Sequence, residues 1–242
     1  MTTQNQRPVA LVTGGGRRVG RAIALCLAGK GYDIALTCNT SRREADETCE
    51  QITRLGAAAS VIHADLRQLP QAAEHITAEL TRFRPRVDAI IHNASLYKPD
   101  RDMEHMEDFW RLHVEAPLLL SRILLPMLKQ THGGIVTLCD ILADRPMVGW
   151  LGYCASKAAL ASLTRGLAKE FAPEVRVNGI APGVAQWPDD MPDDQRQQYL
   201  KRVPLARAGT PEEIARLVHF LLEQGTYLTG QIINIDGGRS IA

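Results

Sequence analysis

Tyr153 and Lys157 stand four residues apart in the run Tyr153-Cys154-Ala155-Ser156-Lys157. On a helix, that spacing puts both side chains on one face. A phenol has an unperturbed pKa of about 10, and an ammonium one helical turn away favours its charged form. Tyr153 then qualifies as a candidate general acid. A solvated lysine beside a half-buried tyrosine has the same spacing, so the pair takes its meaning from the residues that converge on it.

A second chemistry-bearing stretch lies near the N-terminus. Residues 8–13 form a short apolar run that reads as a buried strand. It meets Gly14-Gly15-Gly16-Arg17-Arg18-Val19-Gly20, and helical periodicity follows from Arg21 to Lys30. Glycines let backbone N–H groups approach a ligand, and a helix N-terminus favours an anion. A tight turn without a ligand is the plainer reading. Residues 33–38 read as the next strand, ending in Cys38-Asn39-Thr40-Ser41-Arg42-Arg43 with no carboxylate before Glu44. An acidic residue at this place accepts hydrogen bonds from a ribose diol and repels a 2′-phosphate. Asn39, Thr40 and Ser41 with Arg42 and Arg43, and Arg17 and Arg18 nearby, suit a phosphate instead. The implied cofactor is NADPH rather than NADH. Arg42 and Arg43 equally fit the solvated first turn of a helix that Ser41 caps.

The remaining elements position these groups. Residues 60–65 form a third strand ending in Asp65, residues 71–82 a helix, and residues 87–92 a fourth strand running into Asn93-Ala94-Ser95. A helical region over 103–130 is expected to break or bend near Pro117. Residues 135–139 form a strand that delivers Asp140, and a helix over 150–171 carries Tyr153 and Lys157. A strand at 175–180, an irregular segment over 182–192, helices near 193–201 and 211–223, and a last strand at 231–235 complete the chain. The alternation predicts one α/β domain over residues 1–242, a Rossmann-type, doubly wound, mostly parallel seven-stranded sheet with helices on both faces. Ligands of such sheets bind at the carboxyl ends of the strands, where the glycine loop, Asp65, Asn93, Asp140 and Pro182-Gly183 all fall.

Composition excludes several other classes. Lys+Arg 28 against Asp+Glu 27 gives a net charge of +1, which offers no basic surface for nucleic acid or an anionic membrane. The 5 cysteines include no C-x-x-C pair, so neither a disulfide framework nor a zinc site is indicated. Residues 1–8 are polar, and no run approaches the roughly 18 apolar residues of a membrane span. A cytoplasmic location is the expectation.

Thr13-Gly14 with Val19-Gly20, Asn93-Ala94, Tyr153-x-x-x-Lys157, Val177-Asn178 with Pro182-Gly183, and Asp236-Gly237-Gly238 occur in one order along the whole chain. Together they resemble the short-chain dehydrogenase/reductase family. The resemblance implies NAD(P)-dependent hydride transfer, with Tyr153 as proton donor and Lys157 lowering its pKa and holding the nicotinamide ribose. It implies cofactor contacts from Gly14, Arg17, Arg18, Val19, Asn39, Thr40, Ser41, Asp65, Leu66, Asn93, Ala94, Ser95, Pro182 and Gly183, and a homotetramer.

Three departures narrow the resemblance. Asp140 stands where the family usually has a serine, thirteen residues before the tyrosine. The family's Asn-Asn-Ala-Gly is His92-Asn93-Ala94-Ser95, and its helical asparagine, four residues before the proline, is His113. These features are similar to the pteridine reductase branch and to bacterial dihydromonapterin/dihydrofolate reductases, as is the segment Asp189-Asp190-Met191-Pro192 with Val203-Pro204-Leu205. The likeness implies a pterin or dihydrofolate substrate touched by Arg18, Ser95, Tyr97, Asp140, Tyr153 and Met191, with Tyr97 stacking on the pterin and Arg18 bridging it to a cofactor phosphate. Asp140 would relay protons to Tyr153, its pKa raised by the adjacent apolar strand, unless it serves only as a helix cap. His113 is either a satisfied core histidine or a member of the relay. The alternatives are a carbonyl reductase for ketones or 3-oxoacyl thioesters, and a non-catalytic NADP-binding sensor.

Overall fold

The computed structural model describes residues 7–99, 105–188 and 191–242. Its centre is set by β1 (Val9–Val12), four apolar residues buried on both faces. Val9 and Leu11 point into one core, Ala10 and Val12 into the other, as the two-residue period of a strand requires. β1 is flanked by β2 (Asp33–Cys38) and β4 (Ala89–His92), with Leu11 in register with Ala35 and Ile90. β3 (Ala59–His63) lies outside β2, and β5 (Gly134–Leu138), β6 (Arg176–Pro182) and β7 (Ile232–Ile235) continue beyond β4. The order is β3-β2-β1-β4-β5-β6-β7 and every neighbouring pair is parallel.

Helices cover both faces. On one side α1 (Arg18–Gly29), α2 (Arg42–Arg54) and α8 (Pro211–Glu223) bury Ile23, Leu27, Ile52, Val218 and Leu221. On the other, α3 (Gln71–Phe83), α5 (Ala116–Thr131) and α6 (Leu151–Phe171) bury Ile76, Leu80, Leu120, Leu124, Leu128, Leu167 and Phe171. Each such side chain contributes about 1.5–3 kcal/mol by leaving water. α4 (Met106–Trp110) and α7 (Asp193–Leu200) are short and lie near the carboxyl ends of the strands. No helix among the described residues is long and apolar enough to cross a membrane, and none of their His, Cys, Asp or Glu side chains cluster as a metal site.

The helical region expected over 103–130 differs in detail, and its start at Met103 lies outside the described residues. Pro117 does not break it. Proline occupies the first turn of α5, where its missing N–H is tolerated. The ladder adjusts upstream instead. Residues Arg111–Glu115 form a π turn in which the Ala116 N–H reaches back to the Arg111 carbonyl. Ser41 occupies the N-cap position of α2 but its hydroxyl makes no capping bond. β6 runs two residues past its expected end, carrying Pro182 into the sheet.

The strand order reverses beside β1, which opens a crevice between the ends of β1 and β4. Thr13 closes its floor: its hydroxyl accepts the N–H groups of Asn93 (2.9 Å) and Ala94 (3.0 Å). The Asn93 amide in turn donates to the carbonyls of Thr13 (2.9 Å) and Gly14 (3.1 Å). Gly14 takes a left-handed conformation (φ 63), and a Cβ on Gly20 would lie 2.2 Å from the Gly14 carbonyl and 2.5 Å from the Asn93 amide nitrogen. Gly20→Ala gains up to about 1 kcal/mol of helix propensity and meets a backbone atom that cannot yield. A net loss of about 2–3 kcal/mol in urea unfolding is expected.

Candidate active site

α6 carries Tyr153, Ser156, Lys157 and Leu160 as one buried stripe. The i, i+3, i+4, i+7 spacing of that stripe is the helical period. Tyr153 and Lys157 therefore share a face as the sequence indicates. Lys157 Nζ donates to the carbonyl of Leu138, the last residue of β5, at 2.8 Å. Burial lowers the lysine pKa from its usual range, and Asp140 partly offsets this.

Asp140 follows β5 and uses its two oxygens differently. Oδ1 accepts the Leu142 N–H at 2.9 Å and caps the short 3-10 turn Ile141–Ala143. Oδ2 accepts the Tyr153 O–H at 2.7 Å. Cap and tyrosine partner are thus the same residue. Burial raises the Asp140 pKa, against the bonds from Leu142 and Tyr153 and the charge of Lys157.

The expected lowering of the Tyr153 pKa is corrected. Burial first, then the charge and hydrogen bond of Asp140, push the phenol well above 10. Lys157 Nζ lies 5.7 Å from the ring centroid and is turned to Leu138. Tyr153 is consequently held as an O–H donor.

Beside it, His113 is fixed within the π turn by Ser95 Oγ (3.0 Å) and the Leu96 N–H (3.2 Å) at Nε2, and by Ser156 Oγ (2.8 Å) at Nδ1. It is a buried, satisfied histidine. Tyr97 comes to the same place, its ring edge-on to Tyr153 (centroids 5.0 Å) and stacked on Trp150 (4.0 Å), while half its surface stays exposed. Across the mouth, Arg18 extends from the glycine loop and donates to the carbonyl of Gln186 at 3.1 Å. Tyr199 of α7 accepts the Val184 N–H at 3.1 Å and meets Trp187 edge-on. Gly183 is packed so closely that a Cβ would touch Asp236 and Tyr199. The Met191 N–H donates to the Pro188 carbonyl; Asp189 and Asp190 lie outside the described residues.

Two N–H groups of the glycine loop are already bonded, Gly14 to Thr37 Oγ1 (3.1 Å) and Gly15 to the Thr37 carbonyl (3.2 Å), while the first turn of α1 holds no acid and Arg17 and Arg18 flank it. Val19 is half-buried on α1, Leu66 is buried, and Asn39 and Thr40 are exposed. Arg42 and Arg43 pair with Asp46 (3.0 Å) and Glu47 (3.9 Å) one turn on, the solvated-turn arrangement. Asp65 is gripped by Arg67 through both oxygens (2.9 and 2.7 Å), which lowers its pKa.

Comparison with known proteins places this geometry. A family model described as enoyl-(acyl carrier protein) reductase matches residues 15–240. A 3-oxoacyl-(acyl-carrier-protein) reductase of Staphylococcus epidermidis is 33% identical over 238 residues, covering 95% of this chain and 97% of its own. The chain belongs to the short-chain dehydrogenase/reductase family. Another relative, pteridine reductase 1 of Leishmania tarentolae, is 30% identical over 286 aligned positions, covering 100% of this chain and 99% of its own. The crystal structure of acetoin dehydrogenase from Enterobacter cloacae superposes with a TM-score of 0.89 at 31% identity, covering 99% and 98% of the two chains. The protein is accordingly an oxidoreductase of this family.

As a short-chain dehydrogenase/reductase site, it contains residues that sequence reasoning passed over. Ser156, Trp150, Trp187, Tyr199 and Arg67 each contact a predicted site residue or its segment. Only Ser156 had a signal, lying three residues after Tyr153 on the same helical face. The buried histidines of this oxidoreductase give a pH dependence. Burial holds His92 at a pKa of about 3, and burial with Lys157 holds His113 well below its usual value. Unfolded histidine titrates near pH ~6.5. The stability tied to neutral imidazoles is therefore complete above that pH and lost as pH falls toward the folded values. Each proton taken up on unfolding changes stability by about 1.4 kcal/mol per pH unit. Between about pH 6 and 5, unfolding free energies of the wild type should fall more steeply than those of His92→Gln, by about one proton's worth; equal slopes would contradict a neutral His92.

Proposed function

We propose that the chain is an NADPH-dependent pteridine reductase, reducing the C=N bond of dihydropterins or dihydrofolate to the tetrahydro forms. The observation that carries the reading is the Tyr153–Asp140 hydrogen bond of 2.7 Å. A carbonyl reductase stabilises negative charge developing on oxygen with neutral donors, and a carboxylate beside the tyrosine opposes that charge. A ring nitrogen that gains a proton needs no such stabilisation.

NADPH would be held by Gly14, Arg17, Arg18, Val19, Asn93 and Ala94 at the crevice, with Asn39, Thr40 and Ser41 selecting a 2′-phosphate and Lys157, Pro182 and Gly183 contributing from the Tyr153 side. When bound, this cofactor supplies the hydride. The chain's own residues do the remaining work. Tyr153 gives its phenolic proton to the ring nitrogen, and Asp140, an acceptor before the reaction, returns one through Oδ2 after taking a proton from solvent. A carboxyl whose pKa is raised by burial holds that proton better than a solvated one. Tyr97, on Trp150, offers an aromatic wall that orients a flat heterocycle at small entropic cost. Ser95 and Arg18 lie on its polar edges, and Met191 belongs to the segment that would cover it.

A second reading, reduction of ketones or 3-oxoacyl thioesters, is favoured by the Staphylococcus epidermidis relative. The outward face of α6 carries the small residues Ala155, Ala158, Ser162 and Gly166 beside Arg165, and we further propose a homotetramer, measurable by light scattering.

NADPH oxidation should be seen with dihydrobiopterin, dihydromonapterin or dihydrofolate, and be at least about tenfold weaker with NADH. Turnover of ketones or 3-oxoacyl thioesters alone sinks the pteridine reading. Cofactor binding without any turnover favours a sensor. Tyr153→Phe should lower kcat by about 10²–10⁴, the usual worth of a general acid. Asp140→Ser should lower turnover of dihydropterins and raise that of ketones in the same preparation.

A further inference from the structure

Ser95 has one hydroxyl hydrogen and three neighbours that could take it, of which the Leu96 carbonyl is remote at 3.5 Å. His113 Nε2 lies 3.0 Å from its oxygen, and the Tyr153 phenol is also within bonding reach, where a serine hydrogen would ease ionisation. The backbone settles the competition. The Leu96 N–H, which can only donate, points at Nε2 from 3.2 Å, so Nε2 carries no hydrogen. The ring hydrogen of the neutral imidazole is then on Nδ1, which gives it to Ser156 Oγ at 2.8 Å. Ser156 donates its own to the Tyr153 carbonyl at 2.7 Å. This chain of bonds ends on a helix carbonyl and cannot pass protons to solvent. At Ser95, two atoms bearing lone pairs approach to 3.0 Å only with a hydrogen between them, and Ser95 alone can provide it.

We propose that His113 is a specificity-determining residue. By holding the Ser95 hydrogen it makes that hydroxyl an acceptor toward the site, so the crevice beside Tyr153 selects substrates presenting N–H donors, amino-substituted N-heterocycles, over carbonyl compounds. Asp140 Oδ2 is an acceptor as well. Of the three polar groups around the reacting bond, Tyr153 alone has a hydrogen to give, and Asp140 Oδ2 takes it in the empty site. A carbonyl oxygen there meets at most one donor, won in competition with Asp140, and two acceptors, whereas the N–H groups of an aminopyrimidine edge meet acceptors directly. This polarity deepens the pteridine reading and rests on it for the choice of heterocycle.

Two measurements test it on the full-length enzyme. Nitrogen-15 NMR of His113 should show a neutral ring protonated at Nδ1, without titration from pH 5 to pH 9; a proton on Nε2, or a titrating ring, overturns the proposal. His113→Asn places an amide donor near Ser95 and releases the hydroxyl hydrogen. With NADPH present, its binding of 2,4-diaminopteridine by calorimetry should weaken about tenfold while kcat/KM for a 3-oxoacyl thioester rises about tenfold. Parallel loss of both, or no change in their ratio, overturns the assignment. Wild-type enzyme that binds the diaminopteridine, loses that binding in His113→Asn, and yet reduces no dihydropterin supports the polarity while sinking the pteridine reading.

Discussion

The site depends on how the ends of β1 and β4 are tied together. Parallel strands leave their terminal polar groups at one edge of the sheet, and at the switch in strand order nothing in the ladder itself satisfies them. Thr13 and Asn93 do so reciprocally, with four hydrogen bonds of 2.9–3.1 Å. One consequence is that the glycine loop and the Asn93-Ala94-Ser95 strand end are tied directly to each other. The cradle for a dinucleotide and the wall that carries Ser95 and Tyr97 are therefore set by the same few bonds. Gly20 is required because a side chain there would press on both halves of the clamp.

Around Tyr153, distance and burial decide which charge controls the phenol. Coulomb energies scale inversely with separation. The Asp140 oxygen bonds the phenol directly at 2.7 Å and raises its pKa, while the Lys157 ammonium is anchored to a strand carbonyl. Desolvation acts in the same direction, since a buried phenolate lacks water to replace. A tyrosine in this setting keeps its proton until a bound group takes it.

Much of this was legible in the sequence because it rests on period and order. The seven strands follow from short apolar runs, the glycine loop from its place between a strand and a helix, and the Tyr153–Lys157 face from the 3.6-residue period. Pro126 shows the limit for helices: it lies inside α5, yet the helix continues to Thr131 because packed leucines outweigh one lost bond. What the sequence could not show were contacts among residues far apart in the chain. The turning of Lys157 to Leu138, the grip of Arg67 on Asp65 and the placement of Trp150 on Tyr97 depend on side-chain directions that no spacing encodes. The two arginines after β2 were ambiguous for a related reason: i, i+4 acids lay within reach of both.

The π turn at Arg111–Glu115 makes the helix one residue richer than its axial length requires. Each residue of an α-helix turns the chain by about 100°. Loss of a single residue here would restore regular winding and swing α4 around the axis, carrying Phe109 away from its stacked position on His113 and its edge contact with Tyr153. The fold can thus be retuned at its reacting centre by an insertion or deletion in a helix, a kind of change that leaves every named catalytic side chain in place while altering what surrounds it.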